Sequence, residues 1–279
     1  MSLPNFLIIG ANKAGTTSLH SYLFSHPEIF MSKIKEPMFF AFDGKELPVN
    51  SSGIINNIND YKKLFEDVTN EIAIGEASTT YLHNSRFAER IKSYIPNVNI
   101  IGILRNPIDR AYSNYRMNVD FGIEKRSFKK CVIEEMKIGS KLNSIVQGKH
   151  YLHLGLYSKH VKKYINTFPE KQVNFFLYEH YKENPVDLIS QIHDILGVNK
   201  DIVPDMSLKH NVSCKQDYIK IKRSCFKTSK HLYKLFGKKN ITKSQLTPQL
   251  SETMNKFYRK DINDLMDLLN IDLSNWLNY

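Results

Sequence analysis

The chain has 279 residues, 42% of them hydrophobic and 11% aromatic, and a formal net charge of +11. Such a length and apolar content exclude a disordered chain and predict a globular protein, either one large α/β domain or two small ones. No run of about 18 apolar residues occurs, and Met1–Asn5 is too short for a signal peptide ahead of the first apolar run. A cytoplasmic location without stable membrane insertion is therefore the default expectation.

In chain order, the apolar run FLIIG (6–10) reads as a buried strand and is followed by a helix over Thr17–Phe24. Asp43–Asn59, rich in Asn, Ser and Gly, reads as a loop. The run IAIG (72–75) precedes a helix over Ser85–Tyr94, and VNIIGIL (98–104) precedes one over Pro107–Val119. A helix over Tyr157–Phe168 leads to the run VNFFLY (173–178), a helix over Pro185–Leu196 and a closing helix over Gln249–Leu269. Pro96 and Pro169 fall just past two of these helices, where a residue unable to continue them is expected. Strand alternating with helix predicts an α/β fold with a central parallel sheet and helices on both faces. No repeat or linker divides the chain, so residues 1–279 read as a single domain.

Cys131, Cys214 and Cys225 match no zinc spacing and leave an odd thiol if two pair, which indicates neither a metal site nor a disulfide framework. Cys214 and Cys225 are expected to be reduced in a cytoplasmic protein. Eleven Lys or Arg residues between Lys209 and Lys243 face one acid, Asp217. That segment carries nearly all the net charge, as a solvated face or as a basic lid over an anionic cofactor or acceptor. Nucleic-acid binding is not expected.

The first strand runs into GANKAGTTSL, a glycine loop that opens a helix. Gly10 and Gly15 keep the G-x-x-x-x-G spacing of a P-loop, whose backbone N–H groups and helix N-terminus cradle phosphate oxygens. The usual Lys after the second Gly is replaced by Thr16, with Thr17 and Ser18 following, and the lysine stands inside the loop as Lys13. Asn12, Lys13, Ala14, Gly15, Thr16, Thr17 and Ser18 are the candidate phosphate-binding residues. Farther along, Arg105 follows a strand, Pro107 suits the first turn of the next helix, and Ser113 lies a little over two turns into it. Arg105 and Ser113 together offer a planar fork and a neutral donor for a phosphate monoester. Arg110 and Arg116, on the same helix, read as solvated charges.

NKAGTTSL resembles the 5'-phosphosulfate-binding loop of sulfotransferases that use 3'-phosphoadenosine 5'-phosphosulfate (PAPS). GILRNPIDRAYSNY (102–115) is similar to the 3'-phosphate motif of that family, and FYRKDINDLMDLLNIDLSNW is similar to the C-terminal helix of its bacterial and carbohydrate-type members. The resemblance implies a P-loop-type three-layer fold, PAPS as co-substrate with 3'-phosphoadenosine 5'-phosphate (PAP) as product, and no metal. A singly charged sulfuryl group on a 5'-phosphate asks for less neutralisation than a triphosphate with Mg²⁺, so Lys13 and hydroxyl donors suffice. Lys13 is placed on the leaving phosphate.

KIKEPMFF (33–40) resembles the K-E-P-x-F-F signature of heparan-sulfate-type and bacterial members, which makes Glu36 the candidate base. Lys33 and Lys35 are candidates for acceptor contacts or solvated charges. Glu76, in GEASTTYL, falls in a segment similar to the family's E-x-S-P-x-Y, with Thr79 in place of the common proline, and is a second candidate to hold the acceptor or assist Glu36. His83, His150, His153 and His160 sit in no motif that matches the histidine base of cytosolic members. KHNVSCKQDYIKIKRS (209–224) is similar to a loop that closes over the nucleotide, with Ser213 and Arg223 as further 3'-phosphate candidates. Tyr81 and Tyr218 are alternatives for stacking on adenine. Asp43–Asn59, Phe121–Lys149 and the basic segment are the expected acceptor walls, facing a small-molecule or carbohydrate acceptor. The competing readings are a P-loop kinase with a displaced lysine, which needs a strand-end carboxylate for Mg²⁺, and a non-enzymatic anion-binding protein, which has no need of two phosphate motifs.

Overall fold

Phe6, Leu7, Ile8 and Ile9 are each fully buried, as β-branched and large apolar residues must be in a strand covered on both faces. They form β1 (Phe6–Gly10), the centre of a five-stranded parallel sheet with β2 (Ile29–Met31), β3 (Ala73–Ala77), β4 (Asn99–Leu104) and β5 (Val173–Leu177) in the order β2-β3-β1-β4-β5. The computed structural model describes residues 2–47, 53–138, 150–205 and 245–278. Contacts group them into two compact units, one of residues up to Asn106 and from Tyr157 to 205, the other of Pro107–Leu156 and residues 245–278.

The first unit holds the whole sheet, flanked by helices. These are α1 (Thr16–Phe24), α2 (Phe39–Phe42), α3 (Ile58–Lys63) and α4 (Ser85–Tyr94). The chain then passes through α5 (Pro107–Asp120) and α6 (Phe128–Ile138) of the second unit, and the first resumes with α7 (Ser158–Thr167), α8 (Tyr178–Glu183) and α9 (Pro185–Leu196). The helix ends follow local chemistry: Asn184 caps α9 by accepting from the Asp187 amide, Pro185 fills its first turn, and Gly197 ends it at φ 70°. Because all five strands are parallel, with Ile8 opposite both Ala77 and Ile101 and the β1–β4 register shifting between Ile8 and Gly10, their carboxyl ends open on one edge. Gly10, Ala77 and Leu104 thus deliver three loops, and Leu177 the start of α8, to the same side of the sheet.

The second unit comprises α5, α6, α10 (Pro248–Leu269) and α11 (Ser274–Leu277), with Trp276, Tyr258, Tyr115 and Tyr151 in its core. Arg110 departs from the expectation of a solvated charge. It falls in the inward stripe of α5 with Ala111, Asn114 and Asn118, is completely buried, and donates to the Tyr151 carbonyl. Arg116, off that stripe, is exposed as expected. Within Phe121–Lys149, one of the expected acceptor walls, α6 is a regular helix that buries Phe128, Cys131, Val132 and Glu135.

Candidate functional site

The glycine loop is built where β1 turns into α1. Gly15 caps the helix at φ 82° and ψ 6°, the left-handed region, and a Cβ there would stand 2.7 Å from Cε1 of Tyr181 and 3.1 Å from Cε2 of Tyr178. Lys13 is left-handed too, at φ 72°, so the backbone curls in two places before the helix begins. The Ala11 amide donates to the Ile103 carbonyl at 2.7 Å, which ties the loop to the neighbouring strand. No acidic residue stands in the first turn of α1, whose N–H groups form a positive helix end. Thr16 and Ser18 are buried, Asn12 and Lys13 half-buried, and Thr17 exposed.

Arg105 leaves β4 at the same edge. Its Nη1 donates to the Lys13 carbonyl at 2.9 Å, and its guanidinium carbon lies 4.6 Å from the Tyr178 ring centroid, a cation–π contact. Arg105 Nε is buried and donates to no group among the described residues, an orphaned charge-bearing donor that suits an anionic ligand. The Arg105 carbonyl accepts from the Tyr157 hydroxyl at 3.0 Å, and the Asn106 amide donates to Glu179 at 2.9 Å, so the residues around the fork are fixed in turn. Ser113 lies on α5 in the second unit and is half-buried. Ser213, Arg223, Tyr218, Cys214, Cys225 and the rest of the basic segment lie outside the described residues.

The strand-end carboxylates are arranged in two levels. Glu36 sits in a loop where both it (φ 62°) and Met38 (φ 53°) are left-handed. Its carboxylate accepts from the Thr79 amide at 2.9 Å and the Thr79 hydroxyl at 3.0 Å, and pairs with Lys35 at 2.7 Å. About a quarter of the Glu36 side chain is exposed, enough to meet a substrate. Glu76, the second candidate carboxylate, lies below it in β3 with no exposed surface. Burial pushes its carboxyl up to about 7, against the opposing effect of bonds from Ser78, Tyr81 and Tyr61. Lys33 is turned outward and pairs with Asp67 at 2.6 Å.

Tyr81 is fully buried against Phe40 and Phe87 and accepts from the Phe40 amide, which leaves no ring face for adenine. Of the histidines, His83 and His160 pack edge to face, burial lowers His160 to about 4, and His153 bonds Glu135 within the second unit. Sequence reasoning missed His20, whose Nε2–H donates to the Ser32 carbonyl at 3.1 Å and which burial lowers to about 4. It missed Tyr178 and Tyr181 as well. The available signal for Tyr178 was its place at the end of the VNFFLY run, on the ligand-binding edge of a parallel sheet.

A glycine loop and helix N-terminus, joined by hydrogen bond to an arginine from the next strand, set backbone N–H groups and a guanidinium on one edge of an α/β sheet, a donor set whose chemistry suits phosphate-like anions. The sulfotransferase domain family matches residues 3–266, and the chain belongs to the sulfotransferase family. It is 30% identical over 207 residues to the human bifunctional heparan sulfate N-deacetylase/N-sulfotransferase 3, covering 70% of this chain and 22% of that protein. It is 36% identical over 124 residues to the membrane-associated sulfotransferase kil1 of Dictyostelium discoideum, covering 43% of this chain and 24% of that protein. The chain thus spans about a quarter or less of the curated relatives it matches. A sulfotransferase crystal structure from Alicyclobacillus acidocaldarius is 30% identical, covers 99% of both chains and superposes with a TM-score of 0.78. Among the described residues no helix is long and apolar enough to cross a membrane, and no group of three or more His, Cys, Asp or Glu is placed to hold a metal ion.

Proposed function

We propose that the chain transfers a sulfuryl group from PAPS to a hydroxyl of a carbohydrate, lipid head group or small natural product. The observation that carries this reading is the bond from Arg105 to the Lys13 carbonyl, because it couples the two phosphate motifs into one cationic edge. The loop amides and Lys13 serve the 5'-phosphosulfate, and Arg105, whose Nε has no partner among the described residues, serves the 3'-phosphate. PAPS supplies an activated sulfuryl group whose bond to the 5'-phosphate oxygen breaks as the bond to the acceptor oxygen forms. Glu36 takes the acceptor's proton, and Lys13 meets the negative charge that grows on the phosphate. The sulfotransferase family to which the chain belongs supports this chemistry.

Thermal unfolding with added nucleotide tests the reading. PAP at about 100 times its Kd adds about 2.7 kcal/mol of stability and raises Tm, whereas ATP with Mg²⁺ does much less. Equal stabilisation by ATP with Mg²⁺ would overturn the donor assignment.

A further inference from the structure

The buried Glu76 carboxyl is the hub of a polar cluster beneath the Glu36 loop. Its Oε1 accepts from the Tyr61 hydroxyl at 3.3 Å, its Oε2 accepts from the Ser78 hydroxyl at 2.9 Å, and Tyr81 also bonds to the carboxyl. Tyr61 comes from α3, Tyr81 from the 3-10 turn Tyr81–His83, and Ser78 from the residue just past β3. Glu36, as a like charge, raises the Glu76 pKa.

A hydroxyl has one proton to give and lone pairs to accept with. With its proton committed to Glu76, the Ser78 oxygen accepts from the Met38 amide at 3.0 Å, and the Tyr81 oxygen accepts from the Phe40 amide at 3.3 Å. Those amides belong to the start of α2, just after Glu36 and Pro37. The same segment is tied down by the Glu36 amide on the Ala77 carbonyl at 2.9 Å and by Thr79 on the Glu36 carboxylate. Left-handed backbone is strained at a non-glycine residue, so the conformations at Glu36 and Met38 persist only where neighbours enforce them.

We infer that Glu76 is a positioning residue: by taking the protons of Ser78 and Tyr81 it turns their lone pairs to the Met38 and Phe40 amides and so holds Glu36 where it meets the acceptor. This rests on Glu36 acting as the base. It assigns Glu76 to the loop's geometry and gives it no contact with either substrate.

Two measurements on Glu76→Gln and Ser78→Ala at pH 8 test it. Amide hydrogen exchange is expected to quicken about tenfold or more at Met38 in both variants, and at Phe40 in Glu76→Gln, while Ala11 in the phosphate loop keeps its native protection. In turnover assays, kcat is expected to fall about tenfold or more in both variants while the Kd for PAP stays within about threefold of native. Native exchange at Met38 in Glu76→Gln overturns the inference, as does a loss of PAP binding equal to the loss of kcat. Should Glu76→Gln fail to fold, Ser78→Ala alone decides, since it removes the acceptor for Met38 and keeps the buried acid. A native protein that ignores PAP overturns the sulfotransferase reading instead, while amide exchange at Met38 still decides whether Glu76 holds the loop.

Discussion

Replacing Gly15 with alanine loads the phosphate loop at its tightest point. The residue keeps φ 82°, where an L side chain costs about 1–2 kcal/mol. Its Cβ would also stand 2.7 Å from Tyr181 and 3.1 Å from Tyr178, so both rings must give way. Tyr178 is the ring against which the Arg105 guanidinium lies, and its displacement removes a cation–π contact of about 0.5–2 kcal/mol and shifts the fork. Together these terms predict a loss of about 1.5–4 kcal/mol in urea unfolding and a PAP affinity at least about tenfold weaker by calorimetry. A Gly15→Ala protein that binds PAP as tightly as native would refute the placing of the 5'-phosphosulfate on this loop.

Other perturbations separate the remaining roles. Lys13→Ala is predicted to lower turnover by about 10²- to 10³-fold with a smaller effect on PAP binding, measured by steady-state kinetics beside calorimetry, and a variant that keeps most of its rate removes Lys13 from the chemistry. Arg105→Ala is predicted to weaken PAP at least about tenfold and adenosine 5'-phosphate little, and native protein should use adenosine 5'-phosphosulfate poorly as donor; equal use of both donors would contradict the 3'-phosphate assignment. Glu76 rises from 4.5 in the unfolded chain to about 7 in the fold, so the fold retains a proton that the unfolded chain has released. Its contribution to stability is complete below about pH 4.5 and is lost as pH rises through about 7, a change of about 3 kcal/mol. Urea unfolding at pH 5 and pH 8 should show that decline in native protein and a smaller one in Glu76→Gln; identical declines would contradict the burial of the acid.

Elements whose pattern is complete within a short window were legible in the sequence. The helices Ser85–Tyr94 and Pro185–Leu196 have their expected bounds, and the strands FLIIG and VNIIGIL fall within a residue of theirs, because caps, prolines and apolar runs are local signals. The glycine loop and Arg105 were readable for the same reason, as each follows a strand directly. What depends on distant partners was not readable. β2 is three residues long and exists because β3 pairs with it, and α2 is four residues held by Ser78 and Tyr81 from another segment. Glu76 sits in a polar-looking GEAST stretch, yet β3 carries it under the loop, where Tyr61 and Tyr81 close over it. The burial of Arg110 follows from the 111–114–118 stripe of α5, which can be read from spacing once the helix is placed.

The measurement that bears most directly on sulfuryl transfer with Glu36 as base is PAP release from PAPS, followed with and without a pool of hydroxyl acceptors, in native protein and in Glu36→Gln. Native protein is predicted to release PAP only when acceptor is present, and Glu36→Gln to bind PAP normally yet turn over about 10²-fold more slowly or worse. Acceptor-dependent release at the native rate in Glu36→Gln would contradict the account.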